Sequence, residues 1–291
     1  MSITPRPTPR DLLTVLLPQL EIAAHYARQI QPRIAAQPAK DAANFFGAAL
    51  SDADLSIQTF VEVALLGTFP ALRFYGEEYE QSYNTKYFRA IALGPQDDYL
   101  ITLDPIDGTQ FYLDGHGNYQ IILGILNADE FEAAIALTPA TKTYVYALRG
   151  EGCWHGQFGT PLEDCDRLQI TEPKSTILLG WGMEHLATTL RDHYTVLTVA
   201  EDYSKTVQIP NVNGLLSGEL AGAVLRVGKF IDGAALAFLA QEAGCLVTTH
   251  AGAVPPPLHA CTNYERPGLL IAANSTVQQH LRTAAHQHGL A

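Results

Sequence analysis

The sequence predicts a two-part chain, an α+β half over residues 1–158 packed on an α/β half over residues 159–291. Three observations carry this expectation. Two stretches of helical periodicity open the chain, five short apolar runs with turn residues between them follow, and beyond Gly159 candidate strands and helices alternate.

The periodic stretches cover residues 11–36 and 52–68, the second placing Leu55, Phe60, Val61, Ala64 and Leu65 at helical spacing. The runs at 72–75, 99–103, 119–126, 132–137 and 143–148 read as an antiparallel sheet. In the second half strands are expected at 176–180, 205–209, 222–227, 245–249 and 269–272, with helices at 184–199, 232–243 and 275–288. Gly150, Gly152, Gly156 and Gly159 mark turns near the border rather than a linker.

An apolar content of 47% is ample for a core. Acidic residues outnumber basic ones 30 to 18 and no Lys/Arg block occurs, so the footprint of a nucleic-acid binder is missing and a small molecule is the expected partner. Cys153, Cys165, Cys245 and Cys261 show neither C-x-x-C nor zinc-finger spacing and read as reduced thiols of a cytoplasmic protein. Residues 12–20 behind Arg6 and Arg10 imitate a signal peptide, but Pro18 interrupts them and an amphipathic stretch continues to Ile34, which favours a core helix. No apolar run approaches the roughly 20 residues of a membrane-spanning helix.

Chemistry concentrates in Leu100-Ile-Thr-Leu-Asp104-Pro-Ile-Asp107-Gly-Thr109, a buried-type strand that ends in two carboxylates, a glycine and a hydroxyl. Asp104 and Asp107 are three apart across a turn that Pro105 stiffens, so their oxygens can converge on a hard divalent cation. Gly108 lets the backbone approach a ligand, and a helix starting there would offer N–H groups to a phosphate. An ordinary Asp-Pro turn with a capping Asp competes with this reading. Asp104 and Asp107 lack the two-residue spacing of D-x-D-x-T aspartyl-phosphate enzymes, and the segment lacks the alternating ligands of a calcium loop.

Two further segments add carboxylates: Phe74-Tyr75-Gly76-Glu77-Glu78, and an Asp at the cap position of the small-residue helix Asp232-Gly-Ala-Ala-Leu to Glu242-Ala-Gly244. Alone, the first is an acidic pair and the second an N-cap. Together with Ser51-Asp-Ala-Asp54-Leu-Ser-Ile-Gln58 they resemble the inositol monophosphatase superfamily, whose motifs are G-E-E, D-P-[IL]-D-G-T, W-D-x-A-A with E-A-G, and T-x-A-D-x-x-x-[QE].

The resemblance implies a layered αβαβα sandwich with the site between the halves, and hydrolysis of a small phosphate monoester by metal-activated water. It implies two or three Mg²⁺ ions, with Glu77, Asp104 and the carbonyl of Ile106 at one and Asp104, Asp107 and Asp232 at another. Glu77, Asp54 and Thr109 would orient and deprotonate the water, and Asp107, Gly108 and Thr109 would face the phosphate. Glu78 is expected as an outlying acid. Lithium sensitivity and a homodimer are further implications.

The chain departs from the family pattern on the substrate side. Gln110-Phe111 stands where x-Asn is usual, Ile231 replaces Trp, Leu225 replaces a ring-contacting Glu, and residues 205–216 lack the R-S-x-G-[ST]-A-A run. Inositol monophosphate, adenosine bisphosphates, fructose bisphosphate, histidinol phosphate and dinucleotide phosphates therefore all remain candidate substrates, and a non-catalytic module binding metal and a phosphorylated ligand is the alternative of another class. Residues 181–184 are candidates for the substrate wall, with core or cap roles as the alternative, and His116 is expected to be solvated.

Overall fold

A computed structural model of the chain describes residues 6–36, 51–78 and 98–290. Helix α1 (Pro9–Ile30) starts in a capping box between Thr8 and Asp11 and carries Pro18 on its exposed side. It stops six residues before the expected end, giving way to the 3₁₀ turn Gln31–Arg33, because Pro32 supplies no N–H to continue the ladder. Helix α2 (Asp52–Thr68) keeps its expected bounds, capped by Ser51. None of the helices among the described residues is long and apolar enough to cross a membrane.

The first sheet runs in sequence order, β1 (Arg73–Gly76), β2 (Leu100–Asp107), β3 (Gln120–Leu126), β4 (Phe131–Thr138), β5 (Thr143–Leu148), β6 (Gly152–Gln157) and β7 (Asp166–Arg167). Only β1 and β2 pair in parallel; the other neighbours are antiparallel. Strands β6 and β7 carry this sheet past residue 158, through glycines that read as turns. Gly156 is a strand residue: a Cβ there would meet Cys165 Sγ at 2.6 Å and Tyr144 Cζ at 2.7 Å, so close packing, not a bend, accounts for it.

The second sheet has the order β12 (Leu246–Thr249), β14 (Leu269–Ala272), β10 (Gly222–Leu225), β8 (Thr176–Leu179) and β9 (Thr195–Thr198). A ribbon of β11 (Gly228–Lys229) and β13 (Glu265–Arg266) flanks it. Two expectations fail here. The helix at 184–199 is a 3₁₀ turn (Glu184–Leu186), a single-turn helix and then strand β9, whose Thr-Val-Leu-Thr alternation buries Val196 and Thr198. The strand at 205–209 is a loop, closed by a bridge between Ser204 and Val207 just ahead of Pro210.

Helices α1 and α2 cover one face of the first sheet, burying Leu16, Leu20, Ile57 and Val61 against Ile101, Leu123 and Ile135. The other face packs through α5 (Gly233–Glu242) onto Leu178, Ala223 and Ile271 of the second sheet; the short helices α3 (Thr109–Leu113) and α4 (Ala187–Leu190) precede it in the chain. Helix α6 (Ser275–Gln287) and α4 close the far side over Ile177, Val224 and Leu270. The result is the five-layer αβαβα sandwich.

Candidate active site

In a regular strand, residues three apart point to opposite faces. Between Asp104 and Asp107 the pairing of β2 with β3 slips, because Asp104 faces Ile122 and Asp107 faces Gln120, so three steps on one strand match two on the other. This β-bulge, at a Pro that cannot donate to the ladder, lets the two carboxylates share a side. The expected turn is therefore a bulged strand end. Ile106 N–H donates to Asp104 Oδ1 at 3.0 Å.

Gly108 follows in the left-handed region (φ 87°) as the N-cap of α3, which is only five residues long. The Thr109 hydroxyl lies 3.1 Å from Asp54 Oδ1 and 3.0 Å from the Ile106 carbonyl. Asp54 itself closes the N-terminus of α2, its Oδ2 accepting the Ser51 N–H at 2.9 Å and the Ser51 hydroxyl at 2.5 Å. The helix cap and the candidate site thus share one carboxylate. One turn on, the Gln58 side chain accepts the Glu78 N–H at 2.8 Å and donates to the Glu78 carbonyl, tying down the strand end that carries Glu77. Gly76 leaves room for that amide. Glu78 is buried, not a surface acid.

Asp232 caps α5 by accepting the Gly233 N–H. Burial pushes the Asp104 carboxyl well above the usual carboxylate range, reinforced by Glu77, Asp107, Asp232 and Asp54. Burial also raises Asp107 to about 8, with Asp232 and Glu77 adding to it while Asn211 and Lys229 oppose. Asp232 is raised to about 6, again by burial first, with Lys229 and the Gly233 N–H pulling it down. The fold therefore gathers Glu77, Asp104, Asp107 and Asp232 from both halves into one acidic neighbourhood, whose repulsion Lys229 offsets in part.

As the side chains stand, no group of three or more His, Cys, Asp or Glu among the described residues could hold a metal ion. Asp104, Asp107 and Asp232 are instead turned to protein donors, namely Ile106 N–H, the Asn211 amide and Gly233 N–H. The donor set nevertheless fits a hard cation, being all oxygen, buried or half-buried, and mutually repelling.

Sequence reasoning missed Asn211, whose Nδ2 donates to Asp107 Oδ2 at 2.9 Å. Its one signal was an Asn after Pro210, an ordinary cap. It ends a strap, residues 203–211, laid over the motif. The Tyr203 hydroxyl donates to Asp114, which also accepts from Gln110 Nε2 at 2.8 Å; Phe111 packs edge-on against Tyr203 at 4.8 Å; and Asn118 Nδ2 donates to the Ile209 carbonyl at 2.6 Å. The departures at 110–111 and at 205–216 thus adjoin, since Tyr203 at the start of the strap meets Phe111 and the partner of Gln110, and Phe111 shares a core with Ile209 and Leu215. His116 lies half-buried near Tyr203, with ring centroids 5.7 Å apart, rather than solvated.

Leu225 and Ile231 are both buried, and His250 Nε2 bonds the Leu225 carbonyl at 2.9 Å. Of the candidate wall residues, Met183 is in the core over the second sheet, Glu184 accepts the Gly182 N–H at 2.9 Å, and Trp181 is exposed.

A sequence model described as the Inositol monophosphatase family matches residues 19–290. A Neisseria meningitidis protein named "Putative Nus factor SuhB" is 26% identical over 240 residues, spanning 79% of this chain and 85% of that protein. An inositol-1-monophosphatase of Rhizobium meliloti is 25% identical over 238 residues, 80% of this chain and 81% of its own length. The solved IMPase of Thermotoga maritima superposes with a TM-score of 0.70 at 16% identity, covering 95% of this chain and 97% of that one. With the match spanning nearly the whole sequence, the chain belongs to the inositol monophosphatase family.

Proposed function

We propose that the protein is a Mg²⁺-dependent phosphatase that hydrolyses a small phosphate monoester. The observation that carries this reading is the convergence of buried Asp104 with half-buried Glu77, Asp107 and Asp232, an arrangement whose charge calls for cations and whose oxygens suit them. Glu77, Asp104, the Ile106 carbonyl, Asp107 and Asp232 would hold two or three ions. When bound, such ions lower the pKa of water and neutralise charge on the phosphoryl oxygens.

The chain's own residues supply the rest. The first N–H groups of α3 have no acceptor within the helix, so Gly108 and Thr109 offer theirs to a phosphate oxygen. The Thr109 hydroxyl, backed by the Asp54 carboxylate, is placed to take a proton from water and pass it on. Glu77 orients the same water.

A phosphate-release screen over sugar, inositol, nucleotide and amino-alcohol phosphates tests this. Release should require Mg²⁺, stop with chelator and fall by at least about 10²-fold in Asp104→Asn; a wild-type chain inert across the panel would refute it. A second reading, a metal- and phosphate-binding module without turnover, is favoured by the relative named for a Nus factor. Saturable binding of a phosphorylated ligand with no phosphate release is its signature.

A further inference from the structure

The second half touches the D-P-I-D motif through the strap at 203–211, and the contact nearest the chemistry is the Asn211 amide. Its Nδ2 donates to Asp107 Oδ2 at 2.9 Å, while its Oδ1 accepts the Val212 N–H at 2.7 Å and so caps the 3₁₀ turn Val212–Leu215. Bonded at both ends, the amide has one orientation. It also borders the glycine cradle, since a Cβ on Gly108 would lie 3.4 Å from Asn211 Nδ2.

We propose that Asn211 is a positioning residue for Asp107: it holds one carboxylate oxygen from the opposite half and leaves the other to a cation. A carboxylate ligand free to rotate loses entropy and accuracy when it binds, and outer partners of this kind typically contribute about 10–100-fold in metal affinity. The rigidity is the amide's own, since the Val212 N–H holds its Oδ1. Upstream, Tyr203 on Asp114, Gln208 Oε1 accepting the Gly117 N–H at 3.3 Å and Ile209 accepting from Asn118 are separate contacts that lay the strap over the motif. A single neutral donor suits this place, because Asp107 is already surrounded by Asp232 and Glu77, and a further acid would add repulsion.

The inference rests on the metal-dependent reading above, and the test separates the two. Metal-free wild type, Asn211→Ser and Gln208→Ala are titrated calorimetrically with MgCl₂ alone, without substrate. Serine keeps an acceptor for the Val212 N–H but is too short to reach Asp107. Asn211→Ser should bind Mg²⁺ about 10–100-fold more weakly than wild type, while Gln208→Ala, which loosens the strap away from Asp107, should bind it as wild type does. An unchanged dissociation constant in Asn211→Ser overturns the proposal. An equal weakening in both variants overturns it too, since the strap as a whole would then be responsible. A wild type that binds no Mg²⁺ overturns this inference together with the reading beneath it.

Discussion

Replacing Thr109 by valine removes one hydroxyl and almost no volume. That hydroxyl carries a single proton and stands between Asp54 Oδ1 at 3.1 Å and the Ile106 carbonyl at 3.0 Å. An ionised carboxylate is the stronger acceptor. Asp54 is fully buried and its other oxygen is already committed to Ser51, so valine takes the Thr109 donor away from a buried Oδ1. Losing such a hydrogen bond to a buried carboxylate costs about 1–3 kcal/mol. At roughly 2–4 °C per kcal/mol for a chain of this size class, the melting temperature should fall by about 2–12 °C. Thermal denaturation of wild type, Thr109→Val, Asp54→Asn and the double variant, all without metal, measures it. The cycle should show a coupling of about 0.5–3 kcal/mol. In phosphate release with Mg²⁺, kcat should drop about 10²–10⁴-fold in Thr109→Val, with Thr109→Ser retaining most of it. Effects on stability that simply add in the double variant would refute the pairing. Wild-type turnover in Thr109→Val would refute its part in proton transfer.

Gly76→Ala should destabilise by about 1–3 kcal/mol through overpacking, because the new Cβ overlaps the Gln58 amide that holds Glu78; a denaturant midpoint equal to wild type would exclude that clamp. His250 is held below its usual 6.5 by burial, with His185 pushing the same way and the Leu225 carbonyl opposing. The folded state thus favours neutral imidazole, the unfolded chain binds more protons, and stability falls as pH drops below about 6.5 toward the folded value. A melting-temperature series from pH 8 to 5 should therefore be flatter on its acid side in His250→Gln; parallel acid limbs would show that His250 is not responsible.

Where the period is plain or an apolar run is short and unbroken, the sequence predicts the element closely. Helix α2 and strand β14, the latter buried on both faces, keep their expected bounds, and Asp232 caps α5 as its position suggested. Failures arose where the periods of helix and strand could not be told apart over a few residues. In 184–199 the apolar positions suit either, and only packing of Val196 and Thr198 on the second sheet decides for a strand. Glycines at 150–159 suggested turns everywhere, although Gly156 is a place where Tyr144 and Cys165 come close, which no local pattern reveals.

The site divides along the same line. The candidate motif residues could be placed from the sequence because each lies at a strand end or a helix cap, features set by a few neighbouring residues. What governs their orientation was not legible, since it comes from across the fold. Asp104 and Asp107 share a side through a bulge that exists only in register with β3, and Asp107 is aimed by an asparagine 104 positions away. The same reasoning applies to the substitutions Gln110 and Phe111. Read in sequence they are losses from a family pattern; in the structure Gln110 shares Asp114 with Tyr203, and Phe111 is the surface on which Tyr203 packs. A strap of different sequence needs a different floor. Restoring the family residue at position 111 alone would therefore remove support from the strap instead of rebuilding a substrate contact, and any change in substrate preference must come from altering both surfaces together.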